Sequence, residues 1–203
     1  MSYSFFRKLE NFKIILGSQS PRRKQLLAGL GLNFEVMIRP VDETIPFALK
    51  GSEAAVYLAE RKWNAFEKEC ALKNQIVITA DTLVCLNNEL IGKPVDDAEA
   101  FEMLSKLSGN VHEVFTGVKA GNAYYAESFA VKTEVWFKTM PEEEIKYYIN
   151  EFKPFDKAGA YGAQDWIGLT AVEKINGSFF NVMGLPSKEV YELLIRICNK
   201  LLP

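Results

Sequence analysis

Apolar and β-branched residues gather in several short runs along this chain. Continuous runs are typical of strands buried on both faces, and alternation of apolar with polar residues is typical of half-buried strands. We therefore expect strands at residues 12–17, 33–40, 75–87, 112–120, 127–138, 169–175 and 179–183. The fourth and fifth of these flank Gly121-Asn122 and are predicted to form a hairpin.

Elsewhere apolar residues recur with the spacing of an amphipathic helix. The predicted helices cover residues 21–30, 52–70, 96–109, 141–151 and 187–201. Ser20 followed by Pro21 is a typical helix start, and Ser52 is the expected cap of the second helix. Helices interspersed with strands, one pair of them a hairpin, predict an α/β fold with a mixed sheet.

The length of 203 residues favours one domain, with or without two lobes, over two independent domains. The net charge of −2 offers no general attraction for nucleic acid or anionic lipid, so a small-molecule partner is favoured. Cys70, Cys85 and Cys198 are too widely spaced for a zinc site and are expected to be buried thiols. The chain has no long apolar run typical of a membrane span or a signal peptide, and we expect a cytoplasmic protein.

Residues 16–27, LGSQSPRRKQLL, place two serines and two arginines where a predicted strand gives way to a helix. The first turn of a helix presents unpaired N–H groups and a partial positive charge, so it attracts anions. Ser18 and Ser20 add hydroxyl donors, and Arg22 and Arg23 add guanidinium groups suited to phosphate oxygens. A capped helix with a solvated basic face is the alternative.

Asp81 interrupts the apolar run at 75–87. Aspartate is disfavoured in strands, and a buried carboxylate is costly unless a cation or a metal compensates its charge. An acid in such a position is a candidate metal ligand or general base. The alternative is a strand that ends before Asp81, with the carboxylate capping a turn.

Four more charged residues suit a phosphorylated ligand. Asp42 and Glu43 offer oxygen ligands for a hard divalent cation, and Lys62 and Lys93 offer ammonium groups. A solvated acidic loop, a surface lysine and a surface turn are the respective alternatives.

The segment FDKAGAYGAQDW, residues 155–166, is rich in glycine and contains Gln164. Glycines let a loop approach a ligand closely, and a glutamine amide offers both a donor and acceptors to the edge of a nucleobase. The alternative is a mobile connector. His112, the only histidine, is expected to be structural, and the chain contains no GxxxxGK[ST] phosphate loop.

Taken in order, several segments resemble the successive motifs of Maf proteins, which are nucleoside triphosphate pyrophosphatases first connected with septum formation. The segments are LGSQSPRRKQLL, VDET, YLAERKWNAF, TADTLV, IGKPVDDAEAFEMLSKLSGNVHEVFTGV, DKAGAYGAQ and GSFFNVMGLP. The resemblance begins near residue 13 and reaches the last predicted helix. It implies one Maf-like domain over residues 1–203, with residues 1–12 as an N-terminal extension. The implied fold is of the Maf and inosine-triphosphatase type, a long mixed sheet with surrounding helices and two lobes around a central cleft.

The resemblance also implies metal-dependent hydrolysis of a nucleoside triphosphate between the α and β phosphorus atoms, with Mg²⁺ or Mn²⁺. By motif match Asp81 is the implied catalytic acid and, together with Glu43, the implied metal ligand. The implied phosphate-binding residues are Ser18, Ser20, Arg22, Arg23, Lys62 and Lys93. The implied base-selecting residues are Arg22, Thr82 and Gln164, and a homodimer is the family expectation.

Within the family, AGAYG with Gln164 and FFNVMGLP are similar to the branch that acts on dTTP and UTP. One departure concerns this loop, because the family usually continues with glycine after the glutamine, whereas Asp165 and Trp166 follow here. A nucleotide-binding regulator of cell division is the main alternative to an enzyme. A nucleic-acid-binding module is a third hypothesis, but it requires a basic surface that the charge balance does not supply.

Overall fold

A seven-stranded sheet runs through the computed structural model, which describes residues 4–202. The strands are β1 (Lys13–Leu16), β2 (Glu35–Val36), β3 (Gln75–Leu86), β4 (Glu89–Ile91), β5 (Val111–Gly121), β6 (Ala126–Phe137) and β7 (Val172–Asn176). Their order is β2-β1-β3-β5-β6-β7, with β4 paired to β3. β1 is parallel to β2 and β3, whereas β4 is antiparallel to β3 and β7 is antiparallel to β6. The predicted mixed sheet of an α/β fold is therefore confirmed.

Helices occupy much of the remaining chain. They are α1 (Ser4–Leu9), α2 (Pro21–Gly29), α3 (Gly51–Asn64), α4 (Glu67–Cys70), α5 (Asp97–Leu107), α6 (Glu142–Phe152), α7 (Trp166–Thr170), α8 (Phe179–Met183) and α9 (Ser187–Leu201), with a 3₁₀ turn at Ala158–Ala160. As predicted, Ser20 caps α2 by accepting a hydrogen bond from the Arg23 N–H, and Pro21 lies in the first turn. Within residues 4–202 no helix is both long and apolar enough to cross a membrane.

Contacts divide the chain into two compact units. The first contains the residues up to Asp81, Thr116–Ala130 and the residues from Gly184 onward, and the second contains Thr82–Phe115 and Val131–Met183. Each unit has its own buried apolar cluster. The single domain over residues 1–203 and the extension at 1–12 stay predictions, and residues 1–3 lie outside the described residues.

In the first unit, α3 lies directly against the sheet. The Thr79 hydroxyl donates to the Ala59 carbonyl at 2.7 Å, which ties α3 to β3. A Cβ added to Gly117 on β5 would overlap the backbone of Ala55 and Val56, so glycine permits this close approach. The same packing brings the polar end of α3 to the middle of β3.

Three predicted elements near the N-terminus differ from the structure. The strand expected at 33–40 is only Glu35–Val36, because its partner β1 ends at Leu16 and offers no further backbone to pair with. The helix expected at 52–70 is broken at residues 65–66, where Phe66 turns into the core beside Ile15 and Val77. Ser52 is not a cap, since the helix begins at Gly51.

The segment 169–183 was also predicted wrongly in part. Residues 166–170 are helical, and the strand is shortened to Val172–Asn176. Residues 179–183 form α8 rather than a strand. Ser178 begins this helix by accepting from the Asn181 N–H, and the buried Asn181 amide donates to the Val114 carbonyl and the Thr133 hydroxyl. These tertiary hydrogen bonds outweigh the strand preference of the aromatic and β-branched residues.

His112 is buried in the second unit, as a structural residue would be. Its Nε2 lies 2.8 Å from the Tyr161 hydroxyl, and its ring packs edge-on against Phe137. Burial lowers the pKa of His112 from 6.5 to about 4. Cys70, Cys85 and Cys198 are buried and form no disulfide with one another, and burial raises the pKa of Cys70 to about 12.

Gly117→Ala is expected to lower the free energy of unfolding by about 1–3 kcal/mol, because the new methyl group must displace the α3 backbone. Gly29→Ala is the matched control, since a Cβ there meets nothing within 4 Å, and it should be neutral or slightly stabilising. Urea titrations of both variants measure the difference. Equal effects would show that α3 does not lie against Gly117.

Acidification should destabilise the protein through His112. Between pH 6.5 and about 4 the unfolded histidine takes up a proton that the folded one does not, so stability falls as the pH decreases. From pH 7 to pH 5 this residue should cost up to about 2 kcal/mol. His112→Gln does not titrate and should flatten that part of the stability–pH curve in urea titrations. An unchanged curve would contradict the low pKa.

Candidate functional site

Asp81 lies inside β3, which continues without a break to Leu86. The alternative in which the strand ends before Asp81 is therefore wrong. The residue is only 8% exposed, and it shares a strand face with Thr79 because side chains alternate along a strand. That face is the one on which α3 packs, through the bond from Thr79 to Ala59. Asp81 consequently points toward a helix that carries cationic residues.

The cation that meets Asp81 is Lys62, which lies one helical turn beyond Ala59 on α3. Its Nζ donates to Asp81 Oδ1 and also forms an ion pair with Glu43 Oε1 at 3.0 Å. The side chains of Lys62 and Asp81 are 15% and 11% exposed, and that of Glu43 is 49% exposed. One ammonium group is thus shared by the two carboxylates predicted to bind metal. The surface-lysine alternative for Lys62 is wrong.

Asp42 holds the loop that presents Glu43. Its Oδ1 accepts from the Thr44 N–H at 2.9 Å and from the Thr44 hydroxyl at 2.6 Å, and its Oδ2 lies 3.3 Å from Arg61 Nη2. The hydrogen bonds from Thr44, followed by the charge of Arg61, lower the pKa of Asp42. Adjacent cations on α3 therefore pair with adjacent acids of the loop. Arg61 was not predicted as a site residue, although its position beside Lys62 was a usable signal.

Arg23 is buried at the start of α2. Its Nη1 donates to the Ser18 hydroxyl at 3.1 Å, and its Nε donates to the Gly184 carbonyl at 2.8 Å. The pKa of Arg23 is lowered, because burial disfavours the charged guanidinium group. The nearby carboxylates of Asp81 and Glu43 offset part of this effect. The alternative in which Arg23 belongs to a solvated basic face of the helix is therefore wrong.

Within the first unit, the start of α2 and the group formed by Lys62, Asp81 and Glu43 interact with each other. Arg23, Asp81 and Glu43 interact electrostatically, and Lys62 binds both carboxylates. Ser20 caps α2 beside them, and Arg22 on the first turn is half-buried. The structure thus brings together most of the residues that the sequence indicated in this unit.

The other predicted site residues, Thr82, Lys93 and Gln164, belong to the second unit. Lys93 and Gln164 are exposed, and Thr82 is half-buried. The Gly159 N–H donates to the Gly92 carbonyl at 2.8 Å, so the glycine-rich loop is tied to the segment that carries Lys93. Gly159 has a φ of +69°, in the left-handed region that favours glycine.

Two carboxylates suit a hard divalent cation when a substrate supplies further oxygen ligands. Mg²⁺ is commonly held by one or two carboxylates together with substrate phosphates and water. Asp81 and Glu43 already share one cation, the Lys62 ammonium, so their oxygens face a common position. Among residues 4–202 no group of three or more histidine, cysteine, aspartate or glutamate side chains forms a metal site from the protein alone. Asp81 and Glu43 are the two residues that could hold such a cation together with phosphate oxygens.

The family profile described as Maf-like protein matches residues 13–197. This chain belongs to the Maf family. Three relatives of this Maf chain each bear the name dTTP/UTP pyrophosphatase. The protein of Flavobacterium psychrophilum is 46% identical over 93% of this chain and 96% of its own length. The Phocaeicola vulgatus protein is 47% identical over 93% and 98%, and that of Bacteroides thetaiotaomicron is 45% identical over 90% and 95%.

Among solved structures, the Ham1 protein of Staphylococcus aureus matches 62% of this Maf chain and 71% of its own chain, with a TM-score of 0.42 and 18% identity.

Proposed function

We propose that this Maf chain hydrolyses dTTP and UTP between the α and β phosphorus atoms, giving the nucleoside monophosphate and pyrophosphate. The support comes from relatives of that name, which match it at 45–47% identity over nearly their whole length. The observation that carries the proposal is the Lys62 ammonium held between Asp81 and Glu43, with Arg23 beside them.

The cationic residues suit a triphosphate. A nucleoside triphosphate carries about four negative charges, and cleavage develops more charge on the leaving pyrophosphate. Arg23 is held by Ser18 and Gly184, so its orientation is set before any ligand binds. Ser18, Ser20, Arg22, Arg23, Lys62 and Lys93 are proposed to bind the phosphates, as the family resemblance implies.

Asp81 is proposed to orient or deprotonate the attacking water. Without a ligand its Oδ1 accepts a hydrogen bond from Lys62. A phosphate oxygen competes for the same ammonium group, and when Lys62 turns to phosphate, the Asp81 carboxylate becomes available to a water molecule. Nucleotide binding and activation of Asp81 are thereby coupled through one lysine.

Asp81 and Glu43 are proposed to hold Mg²⁺ or Mn²⁺ together with phosphate oxygens. When bound, a divalent cation supplies positive charge that stabilises the negative charge developing on the phosphates. Arg22, Thr82 and Gln164 are proposed to select the base. Cytoplasmic location and a homodimer are further parts of the proposal, based on the composition and on the family resemblance.

Asp81→Asn should reduce the rate of pyrophosphate release from dTTP by about 10³-fold or more, because an amide neither accepts the proton nor offers a charged ligand. The fold and much of the nucleotide affinity should remain. Steady-state pyrophosphate release at saturating dTTP and Mg²⁺ measures the rate, and equilibrium dialysis measures binding.

Asp97→Asn is the control for this variant, since Asp97 is an exposed carboxylate of the second unit that pairs only loosely, at 3.7 Å, with Lys153. It should leave turnover unchanged. Near-normal turnover by Asp81→Asn would exclude the proposed role of Asp81. Nucleotide binding without turnover by the unaltered protein would favour the regulator of cell division.

Lys62→Met should strengthen the binding of Mn²⁺ without nucleotide by about tenfold, because it removes the cation that competes for Asp81 and Glu43. It should also weaken turnover, since a phosphate contact is lost. Calorimetric titration with Mn²⁺ measures the first effect independently of activity.

Lys119→Met is the matched control, because Lys119 is a partly buried lysine of the same unit that pairs with Glu60 at 3.3 Å. Its Mn²⁺ affinity should equal that of the unaltered protein. If Lys62→Met binds Mn²⁺ no better than this control, Lys62 does not occupy the metal position.

A further inference from the structure

Gln164 lies at a corner of a four-residue turn in the second unit. The Asp165 N–H donates to the Gly162 carbonyl at 3.0 Å, which closes the turn Gly162-Ala163-Gln164-Asp165. Gln164, at its third position, is exposed, whereas Gly162 and Ala163 are buried. The direction in which the Gln164 Cα–Cβ bond leaves the backbone therefore depends on what holds the two ends of this turn.

Both ends are bound by one hydroxyl group, that of Tyr148 on α6. The Gly162 N–H donates to Tyr148 Oη at 3.2 Å, and Tyr148 Oη donates to Asp165 Oδ2 at 2.9 Å. The Tyr148 side chain is fully buried, whereas the Asp165 side chain is 25% exposed. A buried phenol that both accepts and donates satisfies its hydrogen-bonding capacity and fixes the two groups relative to each other.

Other contacts restrict the turn further. A Cβ on Gly162 would lie 2.8 Å from Asp165 Cγ, so the carboxylate packs directly on the glycine. Lys157 Nζ lies 3.7 Å from Asp165 Oδ2, and the Lys157 side chain is 12% exposed. A Cβ on Gly168 would overlap the Ala163 carbonyl, so α7 also packs against the turn. Burial and the nearby charge of Asp165 raise the pKa of Tyr148, which keeps its hydroxyl protonated as a donor.

We propose that Tyr148 is a positioning residue for base selection, which fixes the place where the Gln164 side chain leaves the backbone by binding both ends of the turn 162–165. The inference rests on the proposed function, in which Gln164 meets the base. Asp165 supplies the carboxylate that Tyr148 binds.

The position of the Gln164 amide matters because uracil and cytosine differ by an exchange of donor and acceptor on the base edge. A glutamine amide carries an acceptor oxygen and a donor nitrogen side by side, and it pairs with a base edge only at a suitable distance and angle. Selection therefore requires that the backbone of the turn present the amide at one place beside the base. A loosened turn would weaken the pairing with uracil, and selectivity would fall while the phosphates still bind.

Tyr148→Phe tests the proposal by removing a single oxygen atom. The ratio of kcat/KM for UTP to kcat/KM for CTP should fall about tenfold, the effect of losing one buried hydrogen-bond group. The change should appear mainly as a higher KM for UTP with kcat nearly unchanged, since the base is bound equally in the ground state and the transition state. A merely structural loss would reduce active protein and leave the ratio unchanged.

Tyr161→Phe is the matched control, because it also removes one buried hydroxyl. Tyr161 precedes the turn directly in sequence, but its hydroxyl contacts His112 rather than the turn. It should leave the UTP/CTP ratio unchanged. Asp165→Ala breaks the same contact from its other end and should lower the ratio as Tyr148→Phe does. The double variant should lower it no further than Tyr148→Phe alone, because the contact with Asp165 is already lost when the hydroxyl is removed.

The outcomes separate the inference from the function on which it rests. An unchanged ratio in an active Tyr148→Phe enzyme overturns the positioning role alone. If Tyr148→Phe does not fold, an unchanged ratio in Asp165→Ala overturns it instead. If the unaltered protein releases pyrophosphate from neither UTP nor dTTP, the proposed function fails and the base-selection role fails with it.

Discussion

Burying a carboxylate inside an apolar strand is costly unless a cation pairs with it, and in β3 the Lys62 ammonium forms an ion pair with Asp81. Lys62 reaches the strand only because α3 lies directly on the sheet, where Thr79 binds Ala59 and Gly117 has no side chain to obstruct the helix. The same ammonium group binds Glu43. The positions of three charged groups thus follow from the packing of one helix on two strands.

This arrangement explains how the charges of Lys62, Asp81 and Glu43 can be stabilised in the protein without a ligand and still take part in the proposed reaction. Lys62, Asp81 and Glu43 satisfy one another in the free protein, so none of these buried or half-buried charges lacks a partner. A triphosphate and a divalent cation offer each of them a stronger partner of the required sign. In the proposed reaction these three groups exchange one another for phosphate oxygens and a divalent cation.

The sequence predicted best those features that depend on local chemistry. Ser20 and Pro21 begin α2 as expected, and the final helix has the predicted bounds of 187–201. Features that depend on distant contacts were missed. Residues 179–183 look like a strand but are helical, because Asn181 binds Val114 and Thr133 from other elements.

The same distinction applies to the candidate site. Asp81 was predicted to be a site residue because aspartate is disfavoured in strands, and this signal is present in the sequence itself. Tyr148 occupies an apolar position of an amphipathic helix, so nothing in the sequence distinguished it from an ordinary core residue. Its hydrogen bonds to Gly162 and Asp165 exist only because α6 and the glycine-rich loop meet in the folded second unit.

The most direct test of the central claim is phosphorus NMR of the products formed from dTTP by the unaltered protein with Mg²⁺ or Mn²⁺. Cleavage between the α and β phosphorus atoms predicts dTMP and pyrophosphate as the first products, in equal amounts. The appearance of dTDP with orthophosphate, or the recovery of unchanged dTTP, would contradict the account.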